Sequence, residues 1–296
     1  VDNLILVVSR RIYRPILFIP VIFISLYSKS STIHLAQPKR SVPLEIWEII
    51  PFSHAKIFLL YAQAKNLLLK ELELNNWQPK DPLSYVVPLN ETIKTGRLDA
   101  EYYRPSVVAL LRGLKDSGCI SLDSIASVSS GYPWKSEYFL EANSPGHPFA
   151  RIRDCKPGLL DNDTLTRLET AYADGEKVAR AQEGDILLGM DGLRWFFACQ
   201  ISAPCYVNQR VCHISPINRN EYPSEYLAIV INSMIGQVQL LREMTVAQTV
   251  GHITNENARQ LKVPILTQAK RSRMAAAVSD SYRARRDSKD LLEKAK

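Results

Sequence analysis

Cysteine and histidine side chains in the second half of the chain raise the question of a metal site. Cys199, Cys205, Cys212 and His213 carry the thiol and imidazole groups that zinc prefers. Their spacing fits neither a zinc finger nor a zinc ribbon, because the sequence contains no Cys-x-x-Cys pair. The total of five cysteines is odd, which favours reduced thiols in a cytosolic protein. We therefore interpret these cysteines as buried strand residues and expect no bound metal.

Carboxylates and catalytic motifs point away from an enzyme. Glu183 and Asp185 could be read as a catalytic pair, but a turn leading into the apolar residues 186–190 explains them better. The motifs G-x-x-x-x-G-K-[ST], G-x-G-x-x-G, H-E-x-x-H and G-x-S-x-G are absent. The Asn/Asp-Pro-Pro-aromatic motif of adenine methyltransferases is also absent, and the histidines are scattered. We predict a protein without catalytic activity that binds no cofactor of its own.

The distribution of charge limits how the chain could bind a polyanion. The 296 residues have a formal net charge of +7 and are 46% hydrophobic, which is typical of a globular protein. Residues 268–296 hold nine Lys or Arg against four Asp or Glu, and residues 1–56 hold seven against three. Residues 57–267 hold 21 against 23. Attraction of this middle part to phosphate must therefore come from local patches of positive charge.

Two long amphipathic segments are predicted to enclose the middle of the chain. Apolar side chains recur at steps of three and four over residues 53–75, and residues 267–296 contain neither proline nor glycine. We expect two long helices that pair as an antiparallel coiled coil with each other, or with copies on a second chain. The residues predicted to pair them are Ile57, Leu60, Ala64, Leu67, Met274, Val278 and Leu292.

Residues 76–266 are predicted to form a globular domain of short strands and helices, so that the fold class is α+β. The clearest strands are 186–190, 195–201 and 211–214. Asp191-Gly192 should form a tight turn between the first two of them.

Local signals also predict helices within this domain. One helix should begin near Pro105 and stop before Gly118. Another should begin with Ser224 as its N-cap and break or bend at Gly236.

Residues 1–52 are expected to be the remnant of a preceding unit or a poorly ordered segment. Arg10, Arg11 and Arg14 precede an apolar run at residues 15–27, as in a signal peptide. That run has 13 residues and two prolines, and it is too short to span a bilayer. We expect a cytoplasmic protein without a membrane anchor.

Two stretches roughly 220 residues apart resemble each other. Residues 32–35 (TIHL) and 42–44 (VPL) precede the first helical segment, and residues 249–253 (TVGHI) and 263–265 (VPI) precede the second. Such a pair is expected when one full unit of a tandem array follows the end of the preceding unit. The identity is sparse, so chance is the alternative explanation.

Several blocks, in this order, resemble the target-recognition unit of type I restriction–modification specificity subunits. They cover about residues 54–296 and end with the Thr249, His252 and Val263-Pro264-Ile265 exit. The preceding blocks are residues 62–69 (AQAKNLLL), 77–79 (WQP), 96–103 (GRLDAEYY), 184–192 (GDILLGMDG) and 208–212 (NQRVC).

The resemblance implies a fold, a function and partners. In that family, two recognition domains alternate with two long helices, and each domain reads one half of a split target in double-stranded DNA. A separate methyltransferase subunit uses S-adenosylmethionine, and a restriction subunit translocates and cuts DNA. The chain departs from the family pattern by holding one complete recognition domain, and its first 53 residues match poorly. A half-length subunit would need to form a homodimer.

On this interpretation, residues that contact DNA should lie on turns and carry hydrogen-bonding or aromatic side chains. Arg151 and Arg153 are two apart in a segment predicted to be extended, so both would point to one face, although either could pair with Asp154 instead. The candidates are Tyr132, Trp134, Lys135, Arg151, Arg153, Arg194, Trp195, Asn208, Gln209, Arg210, Gln248, Thr249 and His252.

These candidates differ in what the family pattern implies for them. Gln209 and Arg210 belong to a family-like block and could equally brace a strand. The less typical Trp134, Lys135, Arg194 and Trp195 are better candidates for sequence specificity, because recognition domains of this family read different targets.

Other functions remain open from the sequence. The chain could be the recognition tail of a fused restriction–methylation enzyme, or a non-functional fragment. A structural coiled-coil protein or a membrane-tethered protein is a third class.

Overall fold

The computed structural model describes residues 5–9, 44–192, 195–247 and 250–294. Short strands and helices of very different length alternate, which confirms a mixed α+β fold. The apolar run at residues 15–27 and most of the first repeated stretch lie outside the described residues. Among the helices within those limits, none combines the length and apolar character that a bilayer crossing requires.

The described helices include two long ones near the ends of the chain and several short ones between them. They are α1 (Leu44–Glu71), α2 (Leu89–Thr95), α3 (Pro105–Asp116), α4 (Thr170–Gly175), α5 (Ser224–Asn232), α6 (Met234–Glu243), α7 (Asn255–Arg259) and α8 (Gln268–Lys294). Short 3-10 helices lie at Ala100–Tyr103, Leu122–Ser124, Ser136–Tyr138, Ile152–Asp154 and Asn162–Thr164.

The strands are short and form several sheets. They are β1 (Ile5–Ser9), β2 (Ser84–Pro88), β3 (Cys119–Ser121), β4 (Ala126–Ser130), β5 (Phe139–Leu140), β6 (His147–Ala150), β7 (Gly158–Leu159), β8 (Thr166–Leu168), β9 (Ile186–Gly189), β10 (Asp191–Gly192), β11 (Ala198–Gln200), β12 (Tyr206–Val207), β13 (Val211–Pro216), β14 (Thr245–Ala247), β15 (Val250–His252) and β16 (Lys262–Pro264). The central sheet has the order β4-β13-β9-β11-β7, and a second sheet has the order β12-β6-β8-β5. Smaller sheets pair β10-β15-β14, β16-β3 and β1-β2.

The central sheet is built around β9, whose four residues are all buried. Antiparallel neighbours flank it, with Ile214 opposite Ile186 on one side and Ala198 opposite Leu188 on the other. The strands predicted at 186–190 and 211–214 are therefore present. The third predicted strand is shorter than expected, because the backbone of Phe196 bonds to a side-chain amide of α6 instead of to a neighbouring strand.

The predicted tight turn at Asp191-Gly192 is wrong. These residues form β10 and pair antiparallel with β15, with Asp191 opposite His252 and Gly192 opposite Gly251. Both glycines allow a close approach of the backbone. A Cβ on Gly192 would lie 2.4 Å from the Trp195 carbonyl oxygen, and one on Gly251 would lie 2.7 Å from the Gly192 carbonyl oxygen.

Helix limits agree with the local signals at α3 but differ at α5 and α6. Helix α3 begins at Pro105 and ends before Gly118, whose φ is +92°. Ser224, the predicted N-cap, is the first residue of α5, and Pro223 is the N-cap instead. The break after α5 falls at Ser233 instead of Gly236.

Gly236 has a packing role in place of the predicted break. A Cβ at this position would lie 2.4 Å from the Ile231 carbonyl oxygen. Glycine therefore allows α6 to approach the end of α5 closely. The chain instead changes direction at Ser233, whose ψ of 170° is extended and whose hydroxyl donates to the Val230 carbonyl.

The two long helices pack against each other in antiparallel orientation. Near one end of the pair, Lys270 Nζ lies 2.5 Å from Glu71 Oε2. Further along, the Ser281 hydroxyl donates to the Ile57 carbonyl at 2.9 Å. The two contacts run in opposite directions along the two helices, which fixes their orientation.

The faces that the two helices bury correspond in part to the predicted pairing residues. Ala64, Met274 and Val278 are buried in the main core. Leu68 is fully buried, whereas Leu67, one of the predicted pairing residues, is only partly buried. Ile57 and Leu60 are half-buried, and the side chain of Leu292 lies outside the described residues.

The C-terminal part of α8 also contacts the β-containing body. Lys289 Nζ lies 3.0 Å from Asp161 Oδ1 and 2.6 Å from Asp163 Oδ2. One turn earlier, Arg285 donates to the Leu159 carbonyl at 3.2 Å. Helix α8 is therefore attached to the body as well as to α1.

Asp185 is a buried carboxylate that joins the central sheet to the segment before α5. Its oxygens accept hydrogen bonds from the Gln182 N–H at 2.8 Å and from His213 Nε2, the Ser215 hydroxyl and Arg219 Nη2 at 2.7 Å each. Burial alone would raise the pKa of Asp185, but these hydrogen bonds outweigh it and hold the pKa below its ordinary value of 3.8. This side chain therefore has a structural role.

We expect Asp185→Asn to lower the free energy of unfolding at pH 7 by about 2–4 kcal/mol. The hydrogen-bond donors around this side chain would lose their negatively charged acceptor. The folded-state pKa is depressed, so the wild-type stabilisation is complete above the ordinary pKa and is lost as pH falls through the folded-state pKa. Urea unfolding at several pH values measures this difference. The free energy of unfolding should fall less steeply toward acidic pH for the variant than for the wild type. An equal effect of Asp287→Asn, at an exposed position of α8, would contradict this role.

We expect Val278→Asp to destabilise the protein by about 3 kcal/mol or more, because it buries an uncompensated charge between α8 and the core. The matched control is Ala276→Asp, two residues away on the exposed side of the same helix, with an expected effect within about 0.5 kcal/mol. Thermal unfolding followed by circular dichroism measures both. Equal destabilisation by the two variants would show that α8 does not depend on this buried face.

Candidate nucleic-acid interface

Polar and aromatic residues from distant parts of the chain meet at one edge of the central sheet. Backbone hydrogen bonds join Gly131 to Val211, Met190 to Arg210 and Gly189 to Phe197 across the neighbouring strand ends. The end of β4, the start of β13, the end of β9 and the residues before β11 therefore lie side by side. This edge brings together residues that are up to about 80 positions apart in sequence.

A cleft opens at this edge, and three predicted residues line it. We call it the sheet-edge cleft. Gln209 and Arg210 come from the turn before β13, and His252 comes from β15. The other lining residues are Ser130, Met190, Thr254, Asn255 and Glu256.

Asp191 orients two of the candidate side chains in the sheet-edge cleft. His252 Nδ1 lies 2.6 Å from Asp191 Oδ1, and Arg210 Nη1 lies 3.4 Å from the same oxygen. Arg210 remains more than half exposed. With Nδ1–H donating to the carboxylate, His252 Nε2 can accept a hydrogen bond. The cleft thus presents a guanidinium and an imidazole held by one carboxylate.

The opposite side of the cleft is formed by Ser130 and the first residues of α7. The Asn255 amide donates to the Ser130 hydroxyl at 2.5 Å. Asn255 Oδ1 is buried and has no hydrogen-bond partner among the described residues. Thr254 and Asn257 form a reciprocal capping box that fixes the start of α7. These residues could hydrogen-bond to a base edge or to a backbone phosphate.

An aromatic pair lies beside the cleft. Trp195 and Phe197 have nearly parallel ring planes, 4° apart, with centroids separated by 6.3 Å. Between them, Phe196 is buried and its backbone N–H and carbonyl both bond to the Gln237 side chain. Ala198 is held in the same way by Asn232. These buried amides direct the Phe197 ring outward, where 39% of the residue is exposed.

Tyr132, Trp134 and Asn208 have mainly structural contacts. Tyr132 and Asn208 form a backbone bridge, and the Tyr132 hydroxyl donates to Glu176 at 2.5 Å. Trp134 is buried among aromatic rings, and its indole N–H donates to the Val207 carbonyl at 3.1 Å. The placement of Trp134 argues against the predicted contact with DNA. Lys135, next to it, is exposed.

Arg151 and Arg153 converge, but not in the predicted extended segment. Residues Ile152–Asp154 form a 3-10 turn, and both guanidinium groups donate to the Thr166 hydroxyl, at 2.6 and 3.0 Å. Arg153 Nε also lies 3.7 Å from Asp154 Oδ1. The two side chains therefore brace the second sheet.

Three of the predicted residues are not described by the structure, and four of the cysteines are buried. Arg194, Gln248 and Thr249 lie outside the described residues. Cys155, Cys199, Cys205 and Cys212 are buried, and burial raises the pKa of the Cys212 thiol to about 12. Within the described ranges, no group of three or more His, Cys, Asp or Glu side chains is placed to hold a metal ion.

Sequence reasoning did not identify Ser130, Asn255 or Phe197. A signal for Phe197 exists, because residues i and i+2 of an extended chain share a face and Trp195 was already a candidate. The spacing of Thr254 and Asn257 is a capping signal that places a helix start beside His252. Ser130 carries no comparable signal, because its position depends on the order of the strands.

Comparisons with known proteins give one sequence match and several structural likenesses. Over 146 residues, the chain is 27% identical to the type I restriction enzyme EcoBI specificity subunit of Escherichia coli, which confirms the predicted resemblance. The match covers 49% of this chain and 28% of that protein, so the chain matches less than a third of the length of this relative. No protein-family model matches the chain.

Two solved structures illustrate the structural likenesses. The type IIG restriction endonuclease BpuSI is 11% identical, with a TM-score of 0.47 over 72% of this chain and 33% of that one. The HsdS subunit from Thermoanaerobacter tengcongensis is 13% identical, with a TM-score of 0.40 over 81% of this chain and 69% of that one.

We expect Trp134→Ala to lower the free energy of unfolding by about 3–5 kcal/mol, because it removes a buried indole from an aromatic cluster. Lys135→Ala, at the exposed neighbouring position, should change it by less than about 0.5 kcal/mol. Urea unfolding of both variants at neutral pH measures the difference. If the Trp134→Ala protein were as stable as the wild type, the conclusion that Trp134 belongs to the core would be wrong.

Proposed function

We propose that this chain is a DNA sequence-recognition subunit of a type I restriction–modification system. It binds one half of a bipartite target, docks a methyltransferase subunit and has no catalytic activity of its own. The observation that carries the proposal is the sheet-edge cleft, where base-reading side chains from separate segments converge. The sequence match to a type I specificity subunit supports it independently.

In this proposal the sheet-edge cleft reads base edges. Arg210 can donate two hydrogen bonds to guanine, and the Gln209 amide can pair with the edge of adenine. Asp191 limits the orientations of Arg210, so that less conformational entropy is lost on binding. Glu256 in the same cleft repels phosphate and favours the amino group of cytosine.

The aromatic pair adds an apolar contact next to these donors. Trp195 and Phe197 can pack against a thymine methyl group or a deoxyribose. Lys135, Arg194, Gln248 and Thr249 would supply further contacts, with the cations directed at phosphates. Tyr132, Trp134, Arg151, Arg153 and Asn208 would act indirectly, by supporting the turns that carry the contacting residues.

The long helices set the position of the body relative to its partners. The proposed arrangement is an antiparallel coiled coil of α1 and α8, consistent with the contacts from Glu71 to Lys270 and from Ile57 to Ser281. A second recognition domain, supplied by another copy of the chain, would read the other half of the target. The methyltransferase subunit would bind S-adenosylmethionine, and a restriction and translocase subunit would complete the cytoplasmic assembly.

The test begins with the methylation pattern of a host that carries this gene and of one that lacks it, which identifies the target. The purified chain together with its methyltransferase subunit should then bind that duplex more tightly than a scrambled one. The affinity should fall steeply with salt, with a log–log slope of about −0.9 for each neutralised phosphate. Sequence-independent and salt-insensitive binding would contradict the proposal.

Arg210→Ala tests the cleft within the same complex. We expect it to weaken target binding by about 1–3 kcal/mol while binding to the scrambled duplex changes little, because a base contact carries the sequence information. Arg112→Ala, at an exposed position on α3, is the matched control and should leave both affinities unchanged. If the variant lost affinity for both duplexes in equal proportion, Arg210 would contact a phosphate and not a base.

A further inference from the structure

Residues 96–103 (GRLDAEYY) do not line the sheet-edge cleft, yet their side chains reach the end of α6. Arg97 Nη1 donates to the Glu243 carbonyl at 3.2 Å, and Arg97 Nη2 donates to the Met244 carbonyl at 3.1 Å. Helix ends leave their last carbonyls without partners inside the helix. The Arg97 guanidinium therefore supplies donors that the end of α6 lacks.

Asp99 and Tyr102 hold the Arg97 guanidinium in this position. Asp99 accepts from Arg97 Nε at 2.6 Å and from Nη2 at 2.8 Å, which is the paired geometry that a guanidinium and a carboxylate favour. The Tyr102 ring centre lies 4.9 Å from the Arg97 guanidinium and 3.8 Å from that of Arg242 in α6. Arg242 Nε also donates to the Tyr102 carbonyl at 2.8 Å. Two arginines thus join this segment to α6.

The chain passes from these contacts directly into the strands that carry His252. Helix α6 ends at Glu243, and β14 begins at Thr245, which is opposite His252 in the antiparallel pair of β14 and β15. The Thr245 hydroxyl also donates to the His252 carbonyl at 3.3 Å. Met244, whose carbonyl accepts from Arg97, is the one residue between the helix and the strand. The position of this carbonyl therefore determines where β14 leaves α6.

The Met244 side chain makes a second connection to β15. A Cβ on Gly251 would lie 2.8 Å from Met244 Cγ, so the Met244 side chain covers the bare backbone of this glycine. Gly251 precedes His252 and is opposite Gly192, the neighbour of Asp191. The strand that Met244 contacts is thus the strand on which the hydrogen bond between His252 and Asp191 depends.

We propose that Arg97 positions His252 in the sheet-edge cleft by holding the carbonyls from which β14 leaves α6. The Arg97 side chain is 19% exposed, and each of its nitrogens already donates to a protein acceptor. Arg97 therefore acts through β14 and makes no contact of its own with a ligand. The effect on DNA binding rests on the proposed function, whereas the position of His252 can be measured without DNA.

Nuclear magnetic resonance of the full chain, with ¹³C-labelled histidine rings, tests the positioning in the absence of DNA. Arg97→Lys keeps the positive charge but loses the planar group that bonds to Asp99 and to two carbonyls at once. We expect the ring resonances of His252 to shift beyond their linewidth, while those of His147 and His213 stay in place. Neither of these two histidines belongs to the sheet of β10, β15 and β14.

Arg104→Lys is the matched control. Arg104 lies next to the same segment and donates twice to Asp81, at 3.0 Å each, so this variant also loses a paired contact. Its contacts do not involve the end of α6, and the His252 resonances should stay unchanged. Met244→Ala is a second, independent variant. It removes the side chain that covers Gly251 and should shift the same His252 resonances.

Binding to the target duplex, in the complex with the methyltransferase subunit, shows whether this position matters for recognition. Arg97→Lys should weaken target binding by about 3–10-fold, the worth of one hydrogen bond from His252. The slope of affinity against salt should not change, because no phosphate contact is lost. A steeper or shallower slope would overturn the indirect role, because Arg97 would then contact DNA itself.

Unshifted His252 resonances in both Arg97→Lys and Met244→Ala would overturn the positioning of His252, whatever the DNA result. Failure of the proposed function gives a different result. The wild-type complex would then bind no duplex specifically, while both substitutions would still shift the His252 resonances and so support the positioning.

Discussion

The side-chain amides of Asn232 and Gln237 impose the constraint on which the candidate interface depends. Both are buried at the join of α5 and α6, and together they take the backbone hydrogen bonds of Phe196 and Ala198 that a neighbouring strand would otherwise take. Asn232 also donates to the Tyr61 hydroxyl of α1 at 3.0 Å. One polar network thus links the long helix, the central sheet and the segment bearing Trp195 and Phe197. Unpaired amides at this depth would be costly, so the network specifies a single arrangement.

Electrostatics explains how a body without excess positive charge could meet a polyanion. Residues 57–267 are slightly acidic as a whole, yet Asp185 and Asp191 are both bonded to cationic or imidazole groups. Asp185 is buried and serves the fold, whereas Asp191 stands at the sheet edge and orients exposed groups. The same residue type therefore has two roles, set by burial. Local arrangement, more than total charge, determines what such a surface attracts.

The features that the sequence predicted are those encoded by neighbouring residues. Pro105 and Gly118 delimit α3, and the lack of proline and glycine allows α8 to run from Gln268 to Lys294. The features that it missed depend on partners far along the chain. Asp191-Gly192 has the composition of a tight turn, but pairing with β15 makes it a strand. The polar residues beside Trp134 in the sequence suggested a surface position, but the rings of Tyr206, Phe149 and Tyr172 enclose it.

The contacts of α8 with the body have a consequence for how the length of this helix can change. Each residue added to a helix rotates everything after it by roughly 100° and advances it by about 1.5 Å. An insertion of one or two residues between Tyr282 and Lys289 would turn Lys289 away from Asp161 and Asp163, whereas a whole turn would keep its direction. Insertions of three or four residues would therefore keep the direction in which this side chain points, and each such step would advance it by about 5.4 Å along the helix axis.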